Sequence, residues 1–159
     1  MTKAMRYLII LLAFAGVVVS SQALRIHYMD PSAILPCSVS EHWDCGTVNR
    51  GRYSVIPPFS FDEKPGTVHV PVAILGIAGY ALITVFALAN RPRVVLALAL
   101  GGFFFAIRLT YIEAHIIKTW CIYCVSSQGI IAAILLATIA ALLLRRRRNL
   151  QSMSDGIAA

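Results

Sequence analysis

The sequence predicts an all-α integral membrane protein, a bundle of four transmembrane helices capped at one end by an outer loop. Three observations lead to this fold class. Apolar residues make up 58% of the 159 residues and charged residues only 13%, about half the charged share of a soluble domain. The mean hydropathy is +0.76. Four apolar segments each reach the roughly 20 residues that a helix needs to cross a bilayer; they cover about 7–28, 70–90, 94–114 and 120–144.

The spans and their connections form one membrane domain, residues 1–148. The loop between the first two spans, residues 29–69, is long, polar and rich in proline and glycine. A run of four arginines, Arg145–Arg148, follows the last span directly. We expect the remaining residues, 149–159, to form a disordered cytoplasmic tail.

The basic residues predict the orientation of the bundle. One side of the membrane carries eight Lys and Arg residues, including both terminal clusters, against one acidic residue, whereas the other side carries five against six. Cytoplasmic flanks of membrane spans are enriched in Lys and Arg. Both termini are therefore predicted to be cytoplasmic, with the loop on the periplasmic face of a bacterial inner membrane. This topology accounts for the net charge of +7, so no nucleic-acid partner is expected.

The N-terminus has a second interpretation. Two basic residues, an apolar run and the sequence 21–23 also fit a cleavable signal peptide. Cleavage would leave three spans that face the same way. We favour an uncleaved span, because the apolar character continues past Ala23 to Met29.

All four cysteines fall on the outer side in this topology. Cys37 and Cys45 lie in the loop, and Cys121 and Cys124 lie where the fourth span begins. Disulfides form and persist outside the cytoplasm, so this placement favours disulfide chemistry. Four cysteines allow three pairings, and the sequence leaves the pairing open.

The pair Cys121 and Cys124 is the sharpest local motif. Its cysteines share one face of a helix, and a thiol in the first helical turn meets unpaired N–H groups that lower its pKa. A dithiol at the membrane boundary can meet both a periplasmic protein and a lipid-soluble electron acceptor, for which a quinone is the natural candidate. We interpret the cysteines as a redox relay. Two structural disulfides, or a zinc site to which CxxC supplies half the ligands, are the alternatives.

The motifs around the cysteines resemble a known family. They are Cys37-x7-Cys45 followed by Gly46-Thr47-Val48-Asn49 and Tyr53-Ser54, the segment 70–76 that opens the second span, and Cys121-x2-Cys124 that opens the last. In this order they are similar to the vitamin K epoxide reductase family, most of all to its bacterial members, over roughly residues 7–145. Two positions depart from the family pattern: Gly51 replaces an expected serine, and His69-Val70-Pro71 replaces Gly-x-Pro.

The resemblance implies a four-helix bundle around a membrane quinone, ubiquinone or menaquinone. It implies that Cys124 reacts with the quinone and that Cys121 exchanges with Cys45. Cys37 and Cys45 would take electrons from a separate periplasmic thioredoxin-fold protein of the DsbA type, which supports disulfide bond formation. Two other functions stay open: quinone or vitamin K epoxide reduction for its own product, and a non-catalytic membrane protein whose disulfides stabilise its loop.

Several other polar residues are candidates for the site. Arg108, inside the third span, either binds the quinone or extends to the nearby outer interface. Gln128, one turn after Cys124, either bonds a quinone carbonyl or makes a polar contact between helices. Glu113 and His115 could transfer protons, although we expect them to be solvated at the interface.

The loop pair is expected to be exposed and easily reduced. Cys37 and Cys45 enclose only seven residues, and so small a loop gives a structural disulfide less entropic benefit than a long one. Trp43 and Trp120 are expected to pack in the loop cap and to anchor the chain at the membrane interface.

Overall fold

The computed structural model describes residues 2–30, 37, 38, 40, 42–59 and 67–158, with the backbone alone for 152–158. Five α-helices and a two-stranded ribbon make up this part of the chain. The elements are α1 (Lys3–Tyr28), α2 (Cys45–Arg50), a 3-10 turn (Arg52–Ser54), β1 (Val55–Ile56), β2 (Val70–Pro71), α3 (Val72–Leu88), α4 (Pro92–Ile112), a π-helical turn (Glu113–Ile117) and α5 (Ile122–Ala158).

The four long helices pack as a bundle. Helix α1 lies between α3 and α5, and α4 contacts the same two helices from the opposite side. Side chains from all four helices meet in one core, among them Ile9, Ala13, Tyr80, Ile83, Val95, Ala99, Ile131 and Ile134. The all-α prediction is confirmed.

Within the described residues, three helical segments are long and apolar enough to cross a membrane: Lys3–Tyr28, Pro92–Ile117 and Ile122–Gln151. Helix α3 is more apolar than these helices but has only 17 residues. Large apolar side chains also cover the outside of the bundle; Leu11 is 67% exposed and Leu136 68%. A soluble protein rarely exposes so continuous an apolar surface. The chain is therefore a multi-pass helical membrane protein.

The C-terminal tail differs from its prediction. Helix α5 continues without a break through Arg145–Arg148 and ends at Ala158, so the expected disordered tail is wrong. No proline interrupts residues 149–158, and the only glycine there is Gly156. The backbone hydrogen bonds can therefore propagate past the apolar segment.

The loop that follows α2 returns to the bundle through the ribbon. Strands β1 and β2 are antiparallel, with Val55 opposite Pro71 and Ile56 opposite Val70. Pro71 then leads directly into α3. Of the three residues compared with Gly-x-Pro, only His69 departs from the family pattern, and it directly precedes β2.

Gly51, the other departure, lies at a close backbone approach. A Cβ built at this position would lie 2.6 Å from the carbonyl oxygen of Thr47. A serine could not occupy this backbone path without a shift of the chain. The turn after α2 therefore follows a course that suits glycine.

Gly16 of α1 packs tightly against the Tyr80 ring of α3. A Cβ at this position would lie 2.5 Å from the Tyr80 ring. Tyr80 is only 4% exposed, and its hydroxyl donates to the Ser127 carbonyl of α5 at 2.8 Å. Small residues permit such close packing in membrane bundles, and here the packing holds three helices together.

Replacing Gly16 with alanine should therefore destabilise the bundle by about 1–3 kcal/mol, the usual cost of overpacking a core. The measurement is thermal unfolding in detergent. Gly129→Ala is the matched control, because a Cβ at Gly129 on α5 meets nothing within 4 Å. Both variants gain the same helix propensity, so equal melting temperatures would contradict the packing argument.

Candidate functional site

The four cysteines come together at one end of the bundle, although the loop, α2 and the start of α5 supply them separately. The apolar cluster that holds them consists of Ile26, Cys37, Cys45, Val48 and Cys121, with Cys124 packed against it. All four are free thiols. Within the described part of the chain, no group of three or more His, Cys, Asp or Glu residues is arranged to hold a metal ion.

Asp44 fixes the start of α2 and with it the position of Cys45. As the N-cap residue, its carboxylate accepts the Gly46 N–H at 2.8 Å and the Thr47 hydroxyl at 2.6 Å. The Ser38 hydroxyl donates to the same carboxylate. Hydrogen bonds from Ser38 and then Thr47 lower the pKa of Asp44, while burial opposes them. The carboxylate thus joins the chain around Cys37 to the helix that begins at Cys45.

Asp44→Ala should destabilise the loop by about 1 kcal/mol, the usual cost of losing an N-cap. The lowered pKa of Asp44 means that its contribution is present above the unfolded pKa and is lost as the pH falls through the folded pKa. Hydrogen exchange of the α2 amides against pH measures it. Asp44→Asn is the control, because asparagine is an equally good N-cap but has no charge to titrate. Acid-dependent exchange that persists in Asp44→Asn would assign the effect to another group.

Two tryptophans connect the loop to the start of α5. The Asp44 N–H donates to the Trp120 carbonyl at 3.1 Å, and the Trp120 N–H donates to the His42 carbonyl at 2.8 Å. The rings of Trp43 and Trp120 lie 6.5 Å apart between centroids. These contacts hold Cys45 and Cys121 on adjacent pieces of chain.

Asn49 lies between the two cysteine pairs. Its side-chain amide donates to the Cys121 sulfur at 3.2 Å and to the Cys45 carbonyl at 2.9 Å. The ring of His27 at the end of α1 donates from Nδ1 to the Asn49 carbonyl at 2.6 Å. Asn49 therefore fixes the position of α2 relative to both α1 and the CxxC pair.

The thiols of Cys45 and Cys121 differ in acidity. Hydrogen bonds from the Cys124 thiol, the Cys45 thiol and Asn49 lower the pKa of Cys121, which precedes the apolar segment of α5. The pKa of Cys45 is raised, because its thiol bonds to the Cys121 sulfur and is buried. The sequence predicted that backbone N–H groups of the first helical turn would lower the pKa of this thiol. A backbone hydrogen bond from Cys124 does lower the pKa of Cys121, but the hydrogen bonds from the neighbouring thiols lower it more.

The loop cysteines are not exposed, contrary to the prediction. Cys37 is 8% exposed and Cys45 is fully buried. The reason is that α2 packs on the end of α1, where the Arg50 Nε donates to the Ile26 carbonyl at 3.2 Å. The end of α1 and helix α2 therefore cover this pair from solvent.

Cys124 lines a cavity of about 460 Å³ inside the bundle. All four cysteines are described, and Cys124 alone of them contributes to the cavity wall. The wall is mostly apolar, with helix surfaces from α1, α3, α4 and α5, and its polar groups include His27, Asn49, Tyr80 and Ser127. Both volume and character are those of a cofactor or small-molecule site.

Glu113 is a buried acid beside the CxxC pair. It is 3% exposed, accepts the Cys121 N–H through Oε2 at 3.3 Å, and lies within hydrogen-bonding reach of the Cys124 thiol. The π-helical turn places it there. Lys118 ends that turn with a left-handed φ of 57°, which directs the chain back so that Cys121 meets Glu113. The prediction of a solvated Glu113 is wrong.

The structure does not bring Arg108 to the site. Its side chain is exposed and does not line the cavity, which favours the interfacial interpretation. Gln128 lies next to the site but also not in the cavity wall. Its Oε1 accepts a hydrogen bond from the Thr110 hydroxyl of α4, so it makes the polar contact between helices that was one of its two interpretations.

Sequence reasoning missed three residues of the site: His27, Asn49 and Tyr80. Asn49 belongs to the motif that carries the family resemblance, but its contact with Cys121 spans 72 positions and leaves no local signal. Tyr80 and its partner Ser127 are polar residues inside apolar spans. Their polarity within apolar spans was the one sequence feature that could have identified them.

A helical membrane protein whose cysteine pairs meet beside an apolar cavity has the composition and geometry of a membrane thiol oxidoreductase. Residues 7–139 match the model of the Vitamin K epoxide reductase family, a stretch that includes all four cysteines, and the chain belongs to this family. Members of the family are oxidoreductases that act on quinone-type substrates. No curated protein matches the chain.

Proposed function

We propose that the protein oxidises a periplasmic dithiol protein and passes the electrons through its two cysteine pairs to a membrane quinone, which supports disulfide bond formation. One observation carries this proposal. The thiols form a continuous series in which Cys45 lies against Cys37 and Cys121, Cys121 lies against Cys124, and Cys124 faces the cavity.

The steps balance as thiol–disulfide exchange. A partner dithiol, from a thioredoxin-fold protein of the DsbA type, reduces the Cys37–Cys45 disulfide. The Cys45 thiolate then attacks Cys121 in the second disulfide and releases Cys124, and Cys37 closes on Cys45 to release Cys121. The reduced Cys121–Cys124 pair gives two electrons to the quinone, which takes up two protons to become the hydroquinone, and the pair forms its disulfide again.

The difference in acidity favours this direction. In thiol–disulfide exchange a thiol of low pKa leaves more readily. The pKa of Cys121 is lowered and that of Cys45 raised, so Cys121 is the better leaving group of the mixed disulfide. This preference supports electron flow from the loop pair to the membrane pair.

The cavity residues fit a quinone ring. Its mostly apolar wall suits a ring and the start of an isoprenoid chain, and His27, Asn49 and Tyr80 offer polar groups for carbonyl oxygens. When bound, the quinone supplies the two-electron acceptor; Cys124 is the cysteine placed to meet it. Either ubiquinone or menaquinone would fit this description.

The proposed topology has four spans with both termini in the cytoplasm. Helix α3, with 17 residues, extends about 26 Å, and a bilayer with a core of about 30 Å can accommodate so modest a mismatch. The loop then covers the periplasmic end, where the four cysteines meet. Residues 1–148 form the membrane domain, and α5 continues into the cytoplasm over 149–158.

A reporter enzyme fused after Ala159 should be active only in the cytoplasm, because eight basic residues lie on that side against one acid. Two reporters are fused in parallel: alkaline phosphatase, which is active only in the periplasm, and a fluorescent protein that is fluorescent only in the cytoplasm. A fusion after Tyr53 in the loop is the control and should give the opposite pattern. Phosphatase activity at Ala159 would reverse the topology and move the cysteines to the cytoplasmic side.

The function is tested with protein purified together with its lipid. Extraction should recover a quinone, and addition of a reduced thioredoxin-fold partner with quinone should oxidise the partner at the rate at which quinone is reduced. Faster consumption of vitamin K epoxide than of quinone would instead support the alternative function, in which the protein reduces quinone or vitamin K epoxide for the sake of that product. If neither acceptor is reduced and the disulfides persist, the cysteines are structural.

A further inference from the structure

Glu113 is the buried acid for which packing gives no reason. A carboxylate in apolar surroundings is costly unless its environment compensates it, and Glu113 is 3% exposed among the helices of a membrane bundle. Its contacts are the Cys121 N–H and the Cys124 thiol. The same side chain contributes to the wall of the cavity. It therefore lies between the reactive sulfur and the space that the acceptor would occupy.

We propose that Glu113 is the proton carrier of the last step: its carboxylate takes the proton of the Cys124 thiol and then delivers it to an oxygen of the bound quinone. This inference rests on the proposed function. It assigns to one side chain the proton transfer that electron transfer to a quinone requires.

The step balances in electrons and protons. Cys121 enters it as the thiolate and Cys124 as the thiol. Glu113 removes the proton from Cys124, the two sulfurs form the disulfide, and two electrons reach the quinone. The proton held by Glu113 and one proton from water complete the hydroquinone, and Glu113 returns to its carboxylate form.

Backbone geometry makes Glu113 a suitable carrier. Its carbonyl oxygen accepts the Thr119 N–H at 3.2 Å and the Lys118 N–H, so the π-helical turn is held firmly. The Cys121 N–H holds one carboxylate oxygen at 3.3 Å. A positioned acid or base of this kind accelerates proton transfer by roughly 10²–10⁴-fold.

The test separates the two half-reactions in Glu113→Gln. Glutamine keeps an oxygen for the Cys121 N–H but cannot take a proton. Reduction of the oxidised protein by a dithiol, measured without quinone, should proceed at the wild-type rate. Reoxidation of the reduced protein by a soluble quinone analogue should slow by roughly 10²–10⁴-fold. His115→Gln is the matched control, because His115 is an exposed residue of the same turn, stacked on Tyr111; neither rate should change.

Glu113→Asp tests the geometry of the same acid. It keeps the carboxyl group but withdraws it by one methylene, so its reoxidation should be slower than wild type and faster than in Glu113→Gln. Reoxidation of Glu113→Gln at the wild-type rate, or equal slowing in both variants, would overturn the proposal. If melting curves show that Glu113→Gln does not fold, Glu113→Asp decides: selective slowing of reoxidation supports the proposal, whereas unchanged reoxidation or equal loss of both rates overturns it. Absence of quinone reduction by the wild type would instead refute the proposed function.

Discussion

Replacing Cys124 with serine should reduce quinone-dependent turnover to the background rate, a loss of at least about a thousandfold, as expected for removal of a reacting group. Cys124 is the cysteine in the cavity wall, so no other sulfur is placed to give electrons to an acceptor there. Exchange between Cys45 and Cys121 needs no second membrane thiol and should survive. The variant should therefore accumulate a Cys45–Cys121 disulfide. It forms when the Cys121 thiolate attacks the Cys37–Cys45 disulfide of the oxidised loop and releases Cys37 as the thiol. Non-reducing peptide mapping of the oxidised variant, before any reduced partner is added, measures it.

Cys121→Ser is the matched control for this prediction. It should lose turnover as completely, because Cys121 is the sulfur that contacts Cys45, but it should trap no disulfide between loop and helix. Quinone-dependent turnover that persists in Cys124→Ser would show that the roles of the two cysteines are wrongly assigned.

Replacing Cys37 with alanine should abolish oxidation of the protein partner and spare oxidation of a small lipid-soluble dithiol. The partner delivers electrons through the loop pair, and without Cys37 the loop cannot close its disulfide. A small dithiol needs no loop, because it can reach Cys124 through the cavity. The decisive measurement is turnover with both donors on the same variant.

A melting curve of Cys37→Ala separates a relay from a structural disulfide. In a relay the melting temperature should change little, because Cys37 closes a loop of only seven residues between it and Cys45. Equal loss of turnover with both donors, together with a lower melting temperature, would favour a structural role. Unchanged oxidation of the protein partner would remove Cys37 from the electron path.

The helices and the convergence of the cysteines could be predicted because they depend on long-range patterns of composition. The position of Arg108 could not. Almost every residue of α4 is apolar, so the sequence carries little information about which face turns inward. In the structure Arg108 shares a face with Phe104, Ile107 and Tyr111, which are all exposed. The charge therefore lies on the outer surface, near the end of its helix.

The positions of Glu113 and Asn49 depend on contacts that no local pattern encodes. Glu113 reaches the cysteines because a π-helical turn and the left-handed Lys118 direct the chain back. Asn49 reaches Cys121 because α2 packs on the end of α1. The burial of the loop cysteines has the same origin. The sequence identified the cysteines that meet at the site but not the polar residues that position them.

The central claim is that electrons pass from the four thiols to a quinone in the cavity. The most direct measurement is the stoichiometry of a single oxidation: fully reduced protein, with its four free thiols, is reconstituted in vesicles and titrated with quinone under anaerobic conditions. Two thiols should disappear for each quinone reduced, and all four after two equivalents. Quinone that stays oxidised while the thiols persist would contradict the claim.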